Sequence, residues 1–133
     1  MDGTQLQKLA NEYATGLPEV TIEHRVNPNW ETYKVGGRVF LLMTDMPGHQ
    51  VVTVKADPDE AVALREQYKE ITGGYHMDKR HWITAAGGPG LHESLVQQLV
   101  IDSYQLVVDK VPTSRRPVHE VPERDRLSTQ PAP

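Results

Sequence analysis

The tightest constraint on this chain lies between Val20 and Lys55, where short strand-like runs are separated by compact turn signals. Val20, Ile22, His24 and Val26 alternate with Thr21, Glu23 and Arg25 until Asn27-Pro28-Asn29 breaks the run. Glu31 to Val35 and Arg38 to Met43 then flank Gly36-Gly37. A glycine pair in that position predicts a two-residue hairpin, because both central residues of the favoured turn need positive φ. Pro47-Gly48 marks the next turn, before Val51 to Lys55. Connections this short favour antiparallel pairing, since a parallel neighbour requires a crossover of about a dozen residues.

The remaining segments read mostly as helices. From Thr4 to Thr15, Leu6, Leu9, Ala10, Tyr13 and Ala14 form one apolar stripe, stopped by Gly16 and Pro18. Asp57-Pro58-Asp59-Glu60 is a helix start, with a capping side chain, proline at the first helical position and early acids. Ala61, Leu64, Tyr68 and Ile71 then face one way up to Gly73-Gly74. His81 to Ala85 reads as a fifth strand and Gly87-Gly88-Pro89-Gly90 as a turn. Leu91 to Val111 is the longest helical candidate, ended by Pro112. The order helix, four strands, helix, strand, helix predicts a two-layer α+β fold: an antiparallel sheet of about five strands with three helices mainly on one face. The domain is expected over residues 1–112. Residues 112–133 hold five of the ten prolines and no aromatic residue, so 113–133 reads as a flexible tail containing proline and arginine.

Composition narrows the class. A chain of 133 residues suits one domain. With no cysteine there is no disulfide, thiolate metal site or cysteine nucleophile. No apolar run reaches the roughly 18 residues of a membrane span, and Met1-Asp2-Gly3-Thr4-Gln5 lacks a secretion-signal pattern, so a cytoplasmic protein is expected. Residues 1–111 carry 10 Lys and Arg against 15 Asp and Glu, so any polyanion binding must rest on local clustering of cations. No catalytic motif is visible. Ser94 and Ser103 fall inside a helix, Asp57 and Asp59 are explained by helix capping, and no glycine cluster has the form of a phosphate-cradling loop. A non-enzymatic protein without a cofactor is the reading these residues give.

Strand parity supplies a map of candidate binding residues. If Val39, Leu41, Met43, Val52, Val54 and Ile83 face the helices, the opposite set contains Arg25, Lys34, Arg38, Phe40, Lys55 and Trp82, with Glu23 as its main acid. That arrangement predicts a basic, partly aromatic open sheet face able to hold phosphates by charge and bases by stacking. The densest cluster is Tyr75-His76-Met77-Asp78-Lys79-Arg80-His81-Trp82, in which Arg80 offers a bidentate fork and Lys79 a point charge. His76 and His81 lack an obvious third ligand, so no metal is assigned.

Taken together, Lys34-Val35-Gly36-Gly37-Arg38-Val39-Phe40, Val54-Lys55, Gly74-Tyr75-His76-Met77, His81-Trp82-Ile83 and Ser103-Tyr104 resemble the MmcQ/YjbR family over about Leu6 to Pro112. The resemblance implies a CyaY-like fold, an antiparallel sheet with helices on one side, and a candidate role as a double-wing DNA-binding protein. The positions that match the family are Lys34, Arg38, Phe40, Lys55, Tyr75, His76, Lys79, His81, Trp82, Ser103 and Tyr104. It carries no catalytic assignment. The frataxin-like shape also suggests iron, but hard cations select carboxylates and the first helix offers only Glu12. Two functional expectations result: a binder of DNA or another polyanion through the open face and the Tyr75–Trp82 loop, or a binder of an anionic small molecule or acidic protein partner without nucleic acid.

Overall fold

The computed structural model describes residues 1–25, 30–46, 49–74 and 77–112, with backbone only at 45, 46 and 49. The expected turn at Pro47-Gly48 and the expected tail at 113–133 lie outside the described residues. Helix α1 (Gly3–Thr15) opens with a capping box in which Asp2 accepts from the Gln5 N–H and the Gln5 side chain accepts from the Asp2 N–H. Strands β1 (Thr21–Arg25), β2 (Trp30–Val35), β3 (Arg38–Met46) and β4 (His49–Lys55) follow in an antiparallel meander. Gly36 and Gly37 both have positive φ, 59° and 80°, as the hairpin requires. Helix α2 (Pro58–Gln67) is capped by the Asp57 carboxylate, which accepts the Asp59 N–H. Strands β5 (Ile71–Gly73) and β6 (Trp82–Ala86) precede α3 (Glu93–Val108), whose N-cap is His92.

The sheet has six antiparallel strands in the order β1-β2-β3-β4-β6-β5 rather than five. The additional strand comes from a stretch whose spacing predicts helix. Tyr68 turns extended at the end of α2, and Ile71, Thr72 and Gly73 pair with Ala85, Thr84 and Ile83. Pairing to the edge of β6 satisfies this backbone, and the β-branched Ile71 and Thr72 suit a strand, so tertiary pairing overrides the helical spacing.

All three helices contribute to one core on one face of the sheet. Leu6, Ala10 and Ala14 from α1, Ala61 from α2, and Leu95, Leu99 and Val100 from α3 join Tyr33, Val35, Leu41, Val52, Val54 and Ile83. Polar tips in this layer find partners. The Tyr33 hydroxyl donates to Asn11 Oδ1 at 2.6 Å, and the Tyr104 hydroxyl donates to the Pro18 carbonyl at 2.8 Å. Burial, with Glu31 adding to it, raises the Tyr33 phenol far above its ordinary range; burial, with Glu19 adding to it, pushes Tyr104 up to about 12.

One irregularity decides where several family-matching residues point. Tyr33 opposes Leu41 but Lys34 opposes Val39, which leaves Phe40 as an extra residue in β3, a β-bulge. Phe40 therefore turns into the helix-side core beside Leu41 instead of alternating away from it, and it is fully buried. Its ring meets Tyr104 edge to face, with centroids 5.3 Å apart. The expectation that Phe40 stands on the open face is thereby corrected. On the other side of β3, pairing with β4 begins at Leu41 and Val54, so the next rung, Phe40 to Lys55, is absent. Ser103 of α3 fills it: its hydroxyl accepts the Lys55 N–H at 2.9 Å and donates to the Phe40 carbonyl at 2.6 Å. A helix side chain completes the sheet ladder.

Candidate functional site

Register shows what lies on the face away from the helices. Opposed residues share a face, so Trp30, Thr32, Leu42, Thr44, Val51, Thr53, Thr72, Thr84 and Ala86 stand together there. Thr53 and Thr84 are buried and their hydroxyls hydrogen-bond at 2.9 Å. This band is threonine-rich and aliphatic, where strand parity predicts a basic surface. By register three expected cations start from this face, Lys55 opposite Trp82 and two that lie apart. Arg25 sits opposite Trp30 at the end of β1, and Lys34 lies at the other end of the sheet, where it pairs with Glu23 at 3.0 Å.

The topology gathers most of the named cations on one end of the sheet instead. The C-terminal ends of β2 and β4 and the N-terminal ends of β3 and β6 share that end, which brings Lys34, Arg38, Lys55 and Trp82 onto one rim. Arg38 opposes the buried Val35 and so starts on the helix side, and Lys55 opposes Trp82. The segment entering β6 adds Lys79 and Arg80, both exposed. Here Asp78 organises the backbone: one carboxylate oxygen accepts the Arg80 N–H at 2.9 Å and the other meets His81 Nδ1 at 2.7 Å. The Arg80 N–H and then His81 hold the Asp78 carboxyl below its usual range. The carbonyl of His81 accepts the Ala56 N–H at 2.9 Å, tying this segment to the end of β4. Tyr75 and His76 lie outside the described residues.

Lys55 is the focus of the rim. It lines a cleft of about 250 Å³ between the end of β4, α2 and α3, floored by Ala56, Ala63, Leu64 and Leu99. Burial lowers the pKa of its ammonium, and the like charges of Lys110 and Arg38 lower it further. Among the described residues Lys55 forms no ion pair. Glu60 and Asp102 also line the cleft, and Asp57 and Asp59 stand nearby at the start of α2, so the rim is mixed in charge rather than uniformly basic. Sequence reading missed Lys110, Glu60 and Asp102. Glu60 follows Lys55 by five residues across a capped helix start and could have been found; nothing in the sequence points from Lys110 to Lys55.

Elsewhere, Glu70 is nearly buried, and its carboxylate accepts the Gly90 N–H at 2.8 Å, which holds its pKa below the usual range. A Cβ at Gly90 would lie 2.7 Å from that carboxylate, and one at Gly88 would strike the same side chain, so the Gly87–Gly90 turn wraps a structural acid. Among the described residues, no group of three His, Asp or Glu side chains converges as a metal site, and no helix is long and apolar enough to cross a membrane.

An open antiparallel sheet carrying three helices on one face, with a mixed-charge cleft at its end, defines a small α+β fold. The comparisons assign it more closely. The YjbR family model matches residues 15–106, and the chain belongs to the YjbR family. It is 35% identical over 109 residues to the Escherichia coli O157:H7 protein YbdF, covering 82% of this chain and 89% of that one. Against YjbR of Escherichia coli K12 the identity is 29% over 96 residues, covering 71% and 81%. Both relatives are described as uncharacterized. Among solved structures, the Deinococcus radiodurans protein DR2400, with domain DUF419, superposes with a TM-score of 0.72 at 24% identity over 79% of this chain and 80% of that one. A Pseudomonas syringae protein gives 0.65 at 23% identity over 75% and 96%. These two likenesses support the fold.

Proposed function

We propose that this YjbR-family protein is a non-catalytic binding protein that receives a small anionic group at Lys55. The observation that carries the reading is the state of that side chain: a partly buried cation on an apolar-floored cleft, beside two further cations, with no ion pair of its own among the described residues. Holding like charges together is unfavourable in the empty protein, and a bound anion relieves it. The acids that flank the rim fit a small ligand better than a polyanion, which would have to pass Asp57, Asp59 and Glu60.

Thermal-shift measurements with phosphate, sulfate and small carboxylates, repeated on Lys55→Met, test the proposal. Small anions are expected to raise the melting temperature of the wild type and to lose that effect in the variant. Without ligand the variant should melt higher, because a penalised charge has been removed. Trp82, opposite Lys55, should report binding by fluorescence once Trp30 is replaced by Phe. Labelled duplex and single-stranded DNA titrated at several salt concentrations give the competing reading its chance. Tight binding that weakens steeply with salt and vanishes in Lys34→Glu/Lys55→Glu would replace the small-anion proposal with a polyanion one.

A further inference from the structure

The Lys55 cleft contains a second clue, and the inference drawn from it rests on the anion reading above. Lys55 and Glu60 line the same cavity with opposite charges yet form no ion pair. Glu60 belongs to the first turn of α2, where a carboxylate is already favoured by the helix dipole, so it has a reason to remain at its own wall. Both residues therefore line one cavity without neutralising each other, and the cations nearest to Lys55 are Lys110 and Arg38. Asp102 adds a second acid, and the Gln67 and Gln98 amides supply neutral donors and acceptors around the apolar floor. The volume, about 250 Å³, lies below the roughly 300–1,000 Å³ of pockets for drug-sized ligands.

We infer that the cleft selects an amphoteric small molecule of amino-acid size, its carboxylate directed to Lys55 and its ammonium to Glu60. A simple anion gains at Lys55 but meets the repulsion of Glu60. A simple amine meets the reverse. Only a ligand that carries both charges satisfies both walls, and its side chain can rest on Ala63, Leu64 and Leu99.

The test is a calorimetric titration of the full chain with the common α-amino acids, their N-acetyl derivatives, which keep only the anion, and their methyl esters, which keep only the cation. At least one free amino acid is expected to bind about tenfold or more tightly than both of its blocked forms, the scale of one hydrogen bond to a charged group. Glu60→Gln should erase the preference over the N-acetyl form, by weakening the free acid and strengthening the N-acetyl form that Glu60 repels, and Lys55→Met should remove both. Equal affinity for free and N-acetylated acids would overturn the amphoteric assignment and leave the anion reading standing. Failure of every acid to bind, or binding indifferent to Lys55→Met, would overturn both. The blocked-ligand comparison on the wild type needs no variant, so poor folding of either substitution does not shield the inference.

Discussion

Replacing Ser103 by alanine removes a hydroxyl that stands in for a missing rung of the sheet. The residue is fully buried, and its oxygen both accepts the Lys55 N–H and donates to the Phe40 carbonyl. Ser103→Ala thus deprives one backbone donor and one backbone acceptor of this partner. At about 1–2 kcal/mol for each deprived group, less about 0.5 kcal/mol for the better helix propensity of alanine, the net loss is about 1.5–3.5 kcal/mol. For a domain near 110 residues, at about 4 °C per kcal/mol, the melting temperature falls by about 6–14 °C. Urea denaturation followed by circular dichroism should show a lower midpoint with an unchanged slope. Ser103→Cys, close in size but a weak hydrogen-bonding group, should fall between the two. Amide exchange localises the effect, since the Lys55 N–H should lose protection before the paired amides of β4. A loss below about 0.5 kcal/mol, or no selective exposure of Lys55, would refute the idea that the helix completes the ladder.

The bulge makes Phe40 a core residue, so Phe40→Ala should cost about 3–5 kcal/mol in chemical denaturation, whereas a residue on an open face would cost little. At the hairpin, a Cβ at Gly36 would lie 2.8 Å from Val111 Cγ1 at φ +59°, while the space around Gly37 is open. Gly36→Ala is expected to cost about 2 kcal/mol or more and Gly37→Asn less than about 1 kcal/mol, measured by urea midpoints. Glu70 gives a pH signature. Its folded pKa lies below the ordinary 4.5, so its contribution is present above that pH and is lost as pH falls through the lower folded value. Glu70→Gln should therefore flatten the acid limb of a stability-against-pH curve in that window.

Much of this architecture is legible in the residues. Gly36-Gly37 dictates a hairpin with both φ values positive, and Asp57-Pro58 dictates where α2 starts. The three-residue strand Ile71–Gly73 is too short to show a period, and only its pairing with β6 identifies it. Phe40 was beyond reach for a different reason. Alternation assumes one residue per rung, and a single bulge hands the next residue to the opposite face without any change in composition. The gathering of Lys34, Arg38, Lys55 and Trp82 was half readable: the hairpin alone places Lys34 and Arg38 at one end, while the position of Trp82 depends on β6 inserting between β4 and β5. Among the family-matching residues, Phe40, Ser103 and Tyr104 hold the fold together, while Lys55 lines the cleft.

The first and last helices lean on each other. Tyr13 of α1 donates to Glu93 at the start of α3, 80 residues later, and Tyr104 reaches back to Pro18 across 86. A nascent chain leaving the ribosome can form its hairpins early and lay α1 against β4, but the side of α1 that packs on α3 stays uncovered until nearly the whole domain has been synthesised. Contacts that close so long a loop slow folding, and the waiting interval is when a chaperone would find the most to hold.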